Sequence, residues 1–151
     1  MLKTVDPLLS ADVLHALRQM GHGDDLVICD TNFPAVTVAS QTTYGRLLSM
    51  DVDAPRAIRA ILSQMPLDTF VEYPAQRMEV VGKPDELLQV HKDVQKEIDH
   101  AEDGKFKLGG IERFAFYERA KKSFCVIQAH ERRVYGCFVL KMGVISPDQK
   151  F

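Results

Sequence analysis

The sequence has few cysteines and no cysteine pair of the CxxC type. Cys29, Cys125 and Cys137 are far apart and lie in apolar, strand-like runs. This spacing excludes zinc knuckles and thioredoxin-type motifs. Because free cysteines are usually buried and stay reduced in the cytoplasm, we expect three buried thiols in a cytoplasmic protein.

The motifs of several common enzyme classes are also missing. There is no GxGxxG dinucleotide fingerprint, no GxxxxGKS/T phosphate loop and no GxSxG nucleophile elbow. His91 and His100 are nine residues apart, which matches no zinc spacing such as HExxH. The sequence therefore argues against dinucleotide-dependent enzymes, phosphate-loop enzymes, serine hydrolases and metal sites.

Neither sign of charge dominates, and no apolar run is long. Nineteen Lys and Arg residues face 21 Asp and Glu residues, for a formal net charge of −2. This balance argues against a basic nucleic-acid footprint or a polybasic membrane patch. No apolar run reaches the roughly 20 residues of a membrane helix, and the first 20 residues lack a signal-peptide core. We expect neither nucleic acid nor a membrane as a partner.

The chain of 151 residues has the length of one typical domain. A domain of this size buries roughly 70% of the surface of its unfolded chain, so it can hold a core without disulfides or metals. Its 46% hydrophobic and 26% charged residues are typical of globular proteins. We predict one compact domain over residues 1–151.

Helical and strand-like segments alternate along the chain. Ser10 is a candidate N-cap of a helix that ends at Gly21, and Asp53 is a candidate N-cap of a helix that runs to about Met65. Further helices are predicted from Pro84 onward and over 113–122. The predicted strands are 26–30, 70–81, 124–127 and 134–142. This order predicts an α/β fold with a central mixed, partly parallel sheet flanked by helices.

His22 stands out among the five histidines because glycines flank it, directly after a helix and before a buried strand. Flanking glycines allow unusual backbone conformations and leave the imidazole without bulky neighbours. Position alone still favours a helix end followed by a turn, because ligands of α/β sheets usually bind at the opposite, carboxyl end of the strands. In this sequence Asp30 is the last residue of the predicted strand 26–30, so it lies at that carboxyl end. The other histidines are expected to be solvated, packing or turn residues: His15, His91, His100 and His130.

Aromatic and charged side chains are concentrated near the C-terminus, in RFAFYERA at 113–120. Arg113, Tyr117 and Tyr135 can supply the hydrogen bonds and the flat apolar face that a sugar ring needs. A phenylalanine-rich core with charges at its surface explains the same pattern equally well. The residues alone do not decide between these two interpretations.

Taken together, these motifs resemble the L-fucose mutarotase branch of the family that also contains D-ribose pyranase. The resemblance is nearly full-length and rests mainly on GHGD at 21–24, Phe33-Pro34, RFAFYERA at 113–120 and Tyr135-Gly136. It implies a compact α/β fold assembled into rings, often decamers of two pentamers, with sites near subunit contacts. It also implies a cofactor-free reaction that interconverts the α and β anomers of a free sugar.

Carried over residue by residue, the resemblance implies that His22 is the proton donor and that Asp30, Arg113 and Tyr135 bind the sugar. Asp30 holds either the imidazole or a sugar hydroxyl. Where the family typically has Asn, two residues after the tyrosine, this sequence has Cys137. Because a thiol is a weaker hydrogen-bond partner than an amide, we expect weaker binding or recognition of a different sugar hydroxyl.

The leading hypothesis is therefore a fucose-type mutarotase that binds sugar with Asp30, Arg113, Tyr117, Tyr135 and Cys137. An imidazole can give and retake a proton near neutral pH, so no cofactor is expected. One alternative is a pyranase that acts on ribose or a related sugar by the same proton chemistry. Another is a non-catalytic monosaccharide-binding protein, which the presence of Cys137 favours.

Overall fold

The computed structural model describes residues 2–148, which form six strands and five helices. Met1 and residues 149–151, the outer residues of the predicted domain, lie outside the described part. The helices are α1 (Ala11–Gln19), α2 (Ala35–Ala39), α3 (Ala54–Leu62), α4 (Gln89–Ala101) and α5 (Arg113–Lys121). The strands are β1 (Asp25–Cys29), β2 (Leu48–Met50), β3 (Ala75–Met78), β4 (Gly109–Ile111), β5 (Cys125–Ala129) and β6 (Phe138–Lys141).

The strands form one mixed sheet in the order β2-β5-β1-β6-β3-β4. β6 is antiparallel to both of its neighbours, and the other adjacent strands are parallel. Five strands therefore point the same way, and their carboxyl ends meet at one edge of the sheet, where β6 begins. We call this the carboxyl edge and the opposite one the amino edge. The predicted α/β fold with a partly parallel sheet is confirmed.

Helices cover both faces of the sheet because the central strands are apolar on both sides. In β1, Leu26 and Ile28 join the core formed with α1, α3 and α4, whereas Val27 and Cys29 join the core formed with α2 and α5. All four side chains are fully buried. The alternation follows the two-residue period of a strand, and burial on both faces explains the continuous apolar run.

Three helices begin where a side chain satisfies the first backbone N–H groups. Ser10 Oγ accepts from the backbone N–H of Val13 at 3.3 Å, and Asp53 Oδ1 accepts from that of Arg56 at 3.0 Å, so both predicted N-caps are confirmed. Glu112 does the same for α5, since its Oε2 accepts from the backbone N–H groups of the second and third helical residues. This cap places Arg113 at the first position of α5.

Three predicted elements have wrong boundaries. The strand predicted over 70–81 is confined to Ala75–Met78, after Pro74, which has no N–H to donate to a strand ladder. The helix predicted from Pro84 begins only at Gln89, because residues 80–86 form turns and the carbonyl oxygen of Pro84 accepts from buried Arg77 Nη2 at 2.7 Å. The strand predicted over 134–142 begins only at Phe138, because Tyr135 adopts a left-handed backbone with φ of 59°. The elements that the sequence analysis missed are short: α2, β2 and β4.

All three cysteines are free and buried, as predicted. Burial raises the pKa of the Cys125 thiol to about 12, so this thiol stays protonated and inert at neutral pH. Within residues 2–148, no helix is both long enough and apolar enough to cross a membrane.

Candidate functional site

A cavity of about 300 Å³ opens at the carboxyl edge of the sheet. Its volume is at the small end of the range of about 300–1,000 Å³ that is usual for small-molecule sites. Five of the six predicted site residues line it together. The complete lining is Asp30, Asn32, Phe33, Met78, Arg113, Tyr117, Val134, Tyr135 and Cys137.

Asp30 is buried directly after β1 and joins two segments of the cavity wall. Its Oδ1 accepts from the backbone N–H of Asn32 at 2.9 Å, and its Oδ2 accepts from that of Gly136 at 3.1 Å. A carboxylate offers about four lone-pair sites, so it can still accept a hydrogen bond from a ligand hydroxyl. Asp30 therefore orders the cavity and remains available to a ligand.

Tyr135 lines the cavity in a strained backbone conformation. Its φ of 59° is rare for a bulky residue and costs of order 1–3 kcal/mol. The carbonyl oxygen of Tyr135 accepts from His91 Nε2 at 3.0 Å, while the next backbone N–H is bound by Asp30. The phenol oxygen accepts from the backbone N–H of Val81 at 3.3 Å, which leaves its own O–H free to donate to a ligand.

His91 holds this tyrosine as a neutral imidazole. Its Nδ1 accepts from the backbone N–H of Leu88 at 3.1 Å, so the hydrogen is on Nε2 and is donated to Tyr135. Burial lowers the pKa of His91, and nearby Arg77 lowers it further, although the bond to Tyr135 opposes them. His91 was expected to be a solvated or packing residue. It is a buried one, and the sequence did not mark its link to the cavity because the contact joins residues 44 positions apart.

An aromatic wall closes one side of the cavity and carries a cation. The rings of Phe33 and Tyr117 stack with centroids 5.2 Å apart and planes 14° apart. The guanidinium carbon of Arg113 lies 5.8 Å from the centroid of the Tyr117 ring. Within residues 2–148 no carboxylate forms an ion pair with Arg113. A hydrogen bond with the Tyr117 hydroxyl raises the pKa of Arg113, and the guanidinium has five N–H donors, so others remain for a ligand. Such a wall offers a flat apolar surface with adjacent donors.

Cys137 contributes a buried thiol to the cavity wall. Burial raises its pKa well above the usual value, and the charge of Asp30 adds to the effect. The side chain is therefore a neutral thiol and only a weak donor or acceptor.

His22 lies away from this cavity, at the amino edge of the sheet. It precedes β1 whereas Asp30 follows it, and a strand of five residues spans about 16 Å. Within one chain, the imidazole is therefore out of reach of Asp30, and of the two roles that the sequence left open for Asp30 only the contact with a sugar hydroxyl is compatible with a single chain. The partner is Asp68, whose Oδ1 lies 3.2 Å from His22 Nε2. No sequence motif marks Asp68, which is 46 residues from His22.

The loop of His22 is fastened to the end of β6. Gly23 has φ of 86°, which only glycine adopts readily, and its N–H donates to the carbonyl oxygen of Met142 at 2.8 Å. The Oδ2 of Asp24 accepts from the backbone N–H of Gly21 at 2.8 Å and closes the turn. The imidazole itself is 46% exposed and lies beside Phe70, with ring centroids 5.4 Å apart. An ordered loop thus presents the imidazole to the outside.

No cluster of three or more His, Cys, Asp and Glu side chains in the described part of the chain is arranged to hold a metal ion. The chemistry that these residues offer is hydrogen bonding and proton transfer by His22. The carboxyl edge has donors, an acceptor and an aromatic wall, and the amino edge has an exposed imidazole with a carboxylate behind it.

The chain matches the RbsD / FucU transport protein family over residues 3–145. It is 41% identical to the fucose mutarotase of Homo sapiens over 147 residues, which cover 96% of this chain and 95% of that protein. The crystal structure of protein Atu2016, described as a candidate sugar binding protein, is 59% identical with a TM-score of 0.94 over 97% of each chain. The fucose mutarotase of Streptococcus pneumoniae in complex with L-fucose is 31% identical with a TM-score of 0.83, over 96% of this chain and 100% of that one.

Proposed function

Since this chain belongs to the RbsD / FucU transport protein family, we propose that it is an L-fucose mutarotase, an isomerase that interconverts the α and β anomers of the free sugar. The observation that carries the proposal is the similarity to fucose mutarotases over nearly the whole chain, as with the human protein at 41% identity. The cavity supports it, because donors, an acceptor and an aromatic wall are what a monosaccharide requires.

In this proposal the cavity at the carboxyl edge binds the sugar. Arg113 donates to ring hydroxyls through its planar guanidinium, and the stacked Phe33 and Tyr117 rings support an apolar face of the sugar. Asp30 accepts from one hydroxyl, and the Tyr135 hydroxyl donates to another. Cys137 gives the sugar only a weak hydrogen bond, where an Asn side chain would give a stronger one.

The proton donor, His22, comes from a second copy of the chain in this proposal. Within one chain the imidazole and the cavity lie at opposite edges of the sheet, so only another molecule can bring them together. Exposed apolar side chains support such a contact. Val134 lines the cavity, Val81 and Phe114 lie next to its residues Tyr135 and Arg113, and Phe70 and Ile145 lie near His22. A head-to-tail contact of this kind generates a ring when it closes. We propose a homo-oligomeric ring, with a decamer of two pentamers as the expected form.

The reaction needs only proton transfers. Protonated His22 donates to the ring oxygen while the anomeric hydroxyl loses its proton to solvent, so the bond between the anomeric carbon and the ring oxygen breaks. The resulting aldehyde rotates about its bond to the next carbon and closes again in the reverse steps. Bonds and protons are restored, so the net change is the anomeric configuration alone. General acid catalysis of this type typically contributes about 10² to 10⁴-fold.

Saturation transfer measured by proton NMR on L-fucose tests this function directly. Inverting one anomeric proton signal is expected to transfer magnetisation to the other in proportion to added protein, because uncatalysed exchange is slow on this timescale. Transfer that is present with the native protein and lost with His22→Gln is the expected result. Exchange at the buffer rate with the native protein would contradict mutarotase activity. Full activity of a folded His22→Gln protein would contradict the role of His22.

A second candidate function is sugar binding without turnover. It is favoured by Cys137 and by the 59% identity to protein Atu2016. In the same experiment it predicts line broadening of the fucose signals without transfer between anomers. The same measurement on D-ribose, read between pyranose and furanose signals, tests the pyranase alternative.

We also propose a cytoplasmic location for the protein. It is supported by the three free, buried cysteines, since reduced thiols are usual in that compartment.

A further inference from the structure

One side-chain amide lines the cavity and has no role in the function proposed above. Asn32 is the only asparagine in the sequence of 151 residues, and it lies two residues after Asp30. Its backbone N–H donates to Asp30 Oδ1 at 2.9 Å. The residue is exposed, and within residues 2–148 its side-chain amide forms no hydrogen bond. The two donors and the acceptor of this amide are therefore free to bind a ligand.

The backbone around Asn32 is held in place before any ligand binds. The N–H of Phe33 donates to the carbonyl oxygen of Asp30 at 3.3 Å, so these residues form a turn. The backbone N–H and the hydroxyl of Thr31 both donate to the carbonyl oxygen of Glu131, at 2.9 and 3.0 Å. These bonds tie the turn to the segment that follows β5. Only the rotamer of the amide remains to be ordered on binding, so the entropic cost of a contact is small.

Asn32 and Cys137 flank the carboxylate of Asp30. Oδ1 of Asp30 accepts from the N–H of Asn32, and Oδ2 accepts from the N–H of Gly136, the residue before Cys137. A sugar hydroxyl bound by Asp30 therefore has a weakly polar thiol on one side and a free amide on the other. The strong polar group beside Asp30 is thus at position 32.

Acceptors are scarcer than donors in the cavity. Arg113 only donates, both oxygens of Asp30 already accept from backbone N–H groups, and the Tyr135 hydroxyl accepts from Val81. Each sugar hydroxyl has a hydrogen of its own to donate, and leaving it unpaired in a site closed to water weakens binding. The amide of Asn32 supplies an acceptor as well as donors, so it can bind a hydroxyl in either role.

We propose that Asn32 is a specificity-determining residue of the sugar site, whose amide binds the ring hydroxyl next to the one that Asp30 accepts from. The inference rests on the proposed function, because it adds a contact to the proposed site. An amide does not ionise near neutral pH, so Asn32 takes no part in the proton transfers. Its effect is therefore expected on sugar binding and not on the chemical step.

Removal of the amide is expected to raise the KM for L-fucose by about 2- to 10-fold, the effect of one lost hydrogen bond. The kcat is expected to stay within about twofold, because the contact is made equally in the bound sugar and in the transition state. Both Asn32→Ala and Asn32→Leu are tested by NMR exchange. Leucine fills about the same volume as asparagine, so a rise in KM in both variants assigns the effect to hydrogen bonding rather than to packing.

Gln41→Ala is the matched control. It removes another exposed amide, which donates to Thr37 and does not line the cavity. Both kcat and KM are expected to be those of the native protein. An unchanged KM in both Asn32 variants would overturn the inference, and so would a rise in KM in Asn32→Ala that Asn32→Leu abolishes.

Analogues of L-fucose that each lack one ring hydroxyl identify the contact. For the analogue without the hydroxyl that Asn32 binds, the native protein and Asn32→Leu are expected to have the same KM, because the amide has no partner there. For the other analogues the ratio of the two KM values is expected to remain as it is with L-fucose. The same ratio with every analogue would overturn the inference, since the amide would then pair with no particular hydroxyl.

The amide can also be observed directly, because the chain has no other asparagine. Its side-chain NH₂ signals in a nitrogen–proton correlation spectrum are identified by their absence in Asn32→Leu. They are expected to shift as L-fucose is added, while the side-chain signals of Gln41 stay in place. Shifts of other signals without a shift at Asn32 would overturn the inference alone. Exchange at the buffer rate, or no shift of any signal, would instead contradict the proposed function.

Discussion

The Nε2–H of His91 donates to the carbonyl oxygen of Tyr135 at 3.0 Å, so a helix holds the cavity tyrosine by its main chain. The other ring nitrogen is occupied by the N–H of Leu88, and protonation would break that bond. A buried imidazole with both nitrogens used in this way couples the strained backbone at Tyr135 to the start of α4.

This coupling is expected to make the free energy of unfolding depend on pH below about 7, where an unfolded histidine begins to take up a proton. The pKa of His91 is lowered in the folded protein, whereas an unfolded histidine has its usual value of about 6.5. The unfolded chain therefore binds more protons than the folded chain as the pH falls below about 7, and the free energy of unfolding falls with it. The slope for one proton is at most about 1.4 kcal/mol per pH unit. Urea denaturation at pH 7.5, 6.5 and 5.5 measures it, and a His91→Gln protein is expected to lose less stability on acidification. An equal loss in both proteins would assign the effect to other groups.

Gly136→Ala is expected to destabilise the protein by about 1–3 kcal/mol, because the added Cβ must displace packed atoms. That atom would lie 2.6 Å from Glu131 Cγ and 3.1 Å from the backbone oxygen of Arg133. L-Fucose binding is expected to weaken as well, since Gly136 donates to Asp30. Gly21→Ala is the control for stability: its Cβ would meet nothing closer than 3.9 Å. Denaturant titration and sugar titration measure the two effects, and equal stability of both variants would contradict the packing argument.

Two inactive variants are expected to complement each other if His22 acts in the site of a second copy. His22→Gln lacks the donor and Arg113→Gln lacks a sugar contact, so each protein alone is expected to be near the buffer rate. Subunits that are dissociated, mixed in equal amounts and reassembled would form about one quarter of their sites from two intact halves. Anomer exchange measured before and after mixing checks this. The absence of any recovery in reassembled oligomers would contradict a shared site.

Cys137→Asn is expected to strengthen L-fucose binding by about 2- to 10-fold, the effect of one added hydrogen bond. An amide at this position offers donors to Asp30 and to the sugar, where the neutral thiol offers a weak one. The dissociation constant from NMR titration is the measurement. Cys125→Ala serves as the control, because Cys125 is buried in the core beside α1, α3 and α4 and does not line the cavity. Weaker binding of the Asn variant would indicate that the thiol fits this cavity better than an amide.

The parts of the fold that local chemistry determines were predictable from the sequence. The caps at Ser10 and Asp53 and the apolar run of β1 are in place, because each depends on a few neighbouring residues. β4 was missed since its two glycines have little strand propensity. Those glycines are needed for packing: a Cβ on Gly109 would lie 2.8 Å from the ring of Tyr73. Such a requirement exists only in the folded chain.

The lining of the cavity was predictable in its composition, whereas the position of His22 relative to it was not. Resemblance to a family supplied Asp30, Arg113 and Tyr135, which share the cavity. The separation of His22 from Asp30 follows from the one strand between them, a signal that was present in the sequence. Asp68 had no such signal, because its contact with His22 depends on the pairing of residues 66–68 with the end of β6.

His22 and the cavity lie at opposite edges of one sheet. This separation determines how activity responds to dilution of the protein. In the ring that we propose, each site is made by two chains, so a separated chain has no complete site. Specific activity is then expected to fall as the protein is diluted below the dissociation constant of the ring, by mass action alone. In that concentration range, a twofold change in the amount of this protein would change its catalytic output by more than twofold.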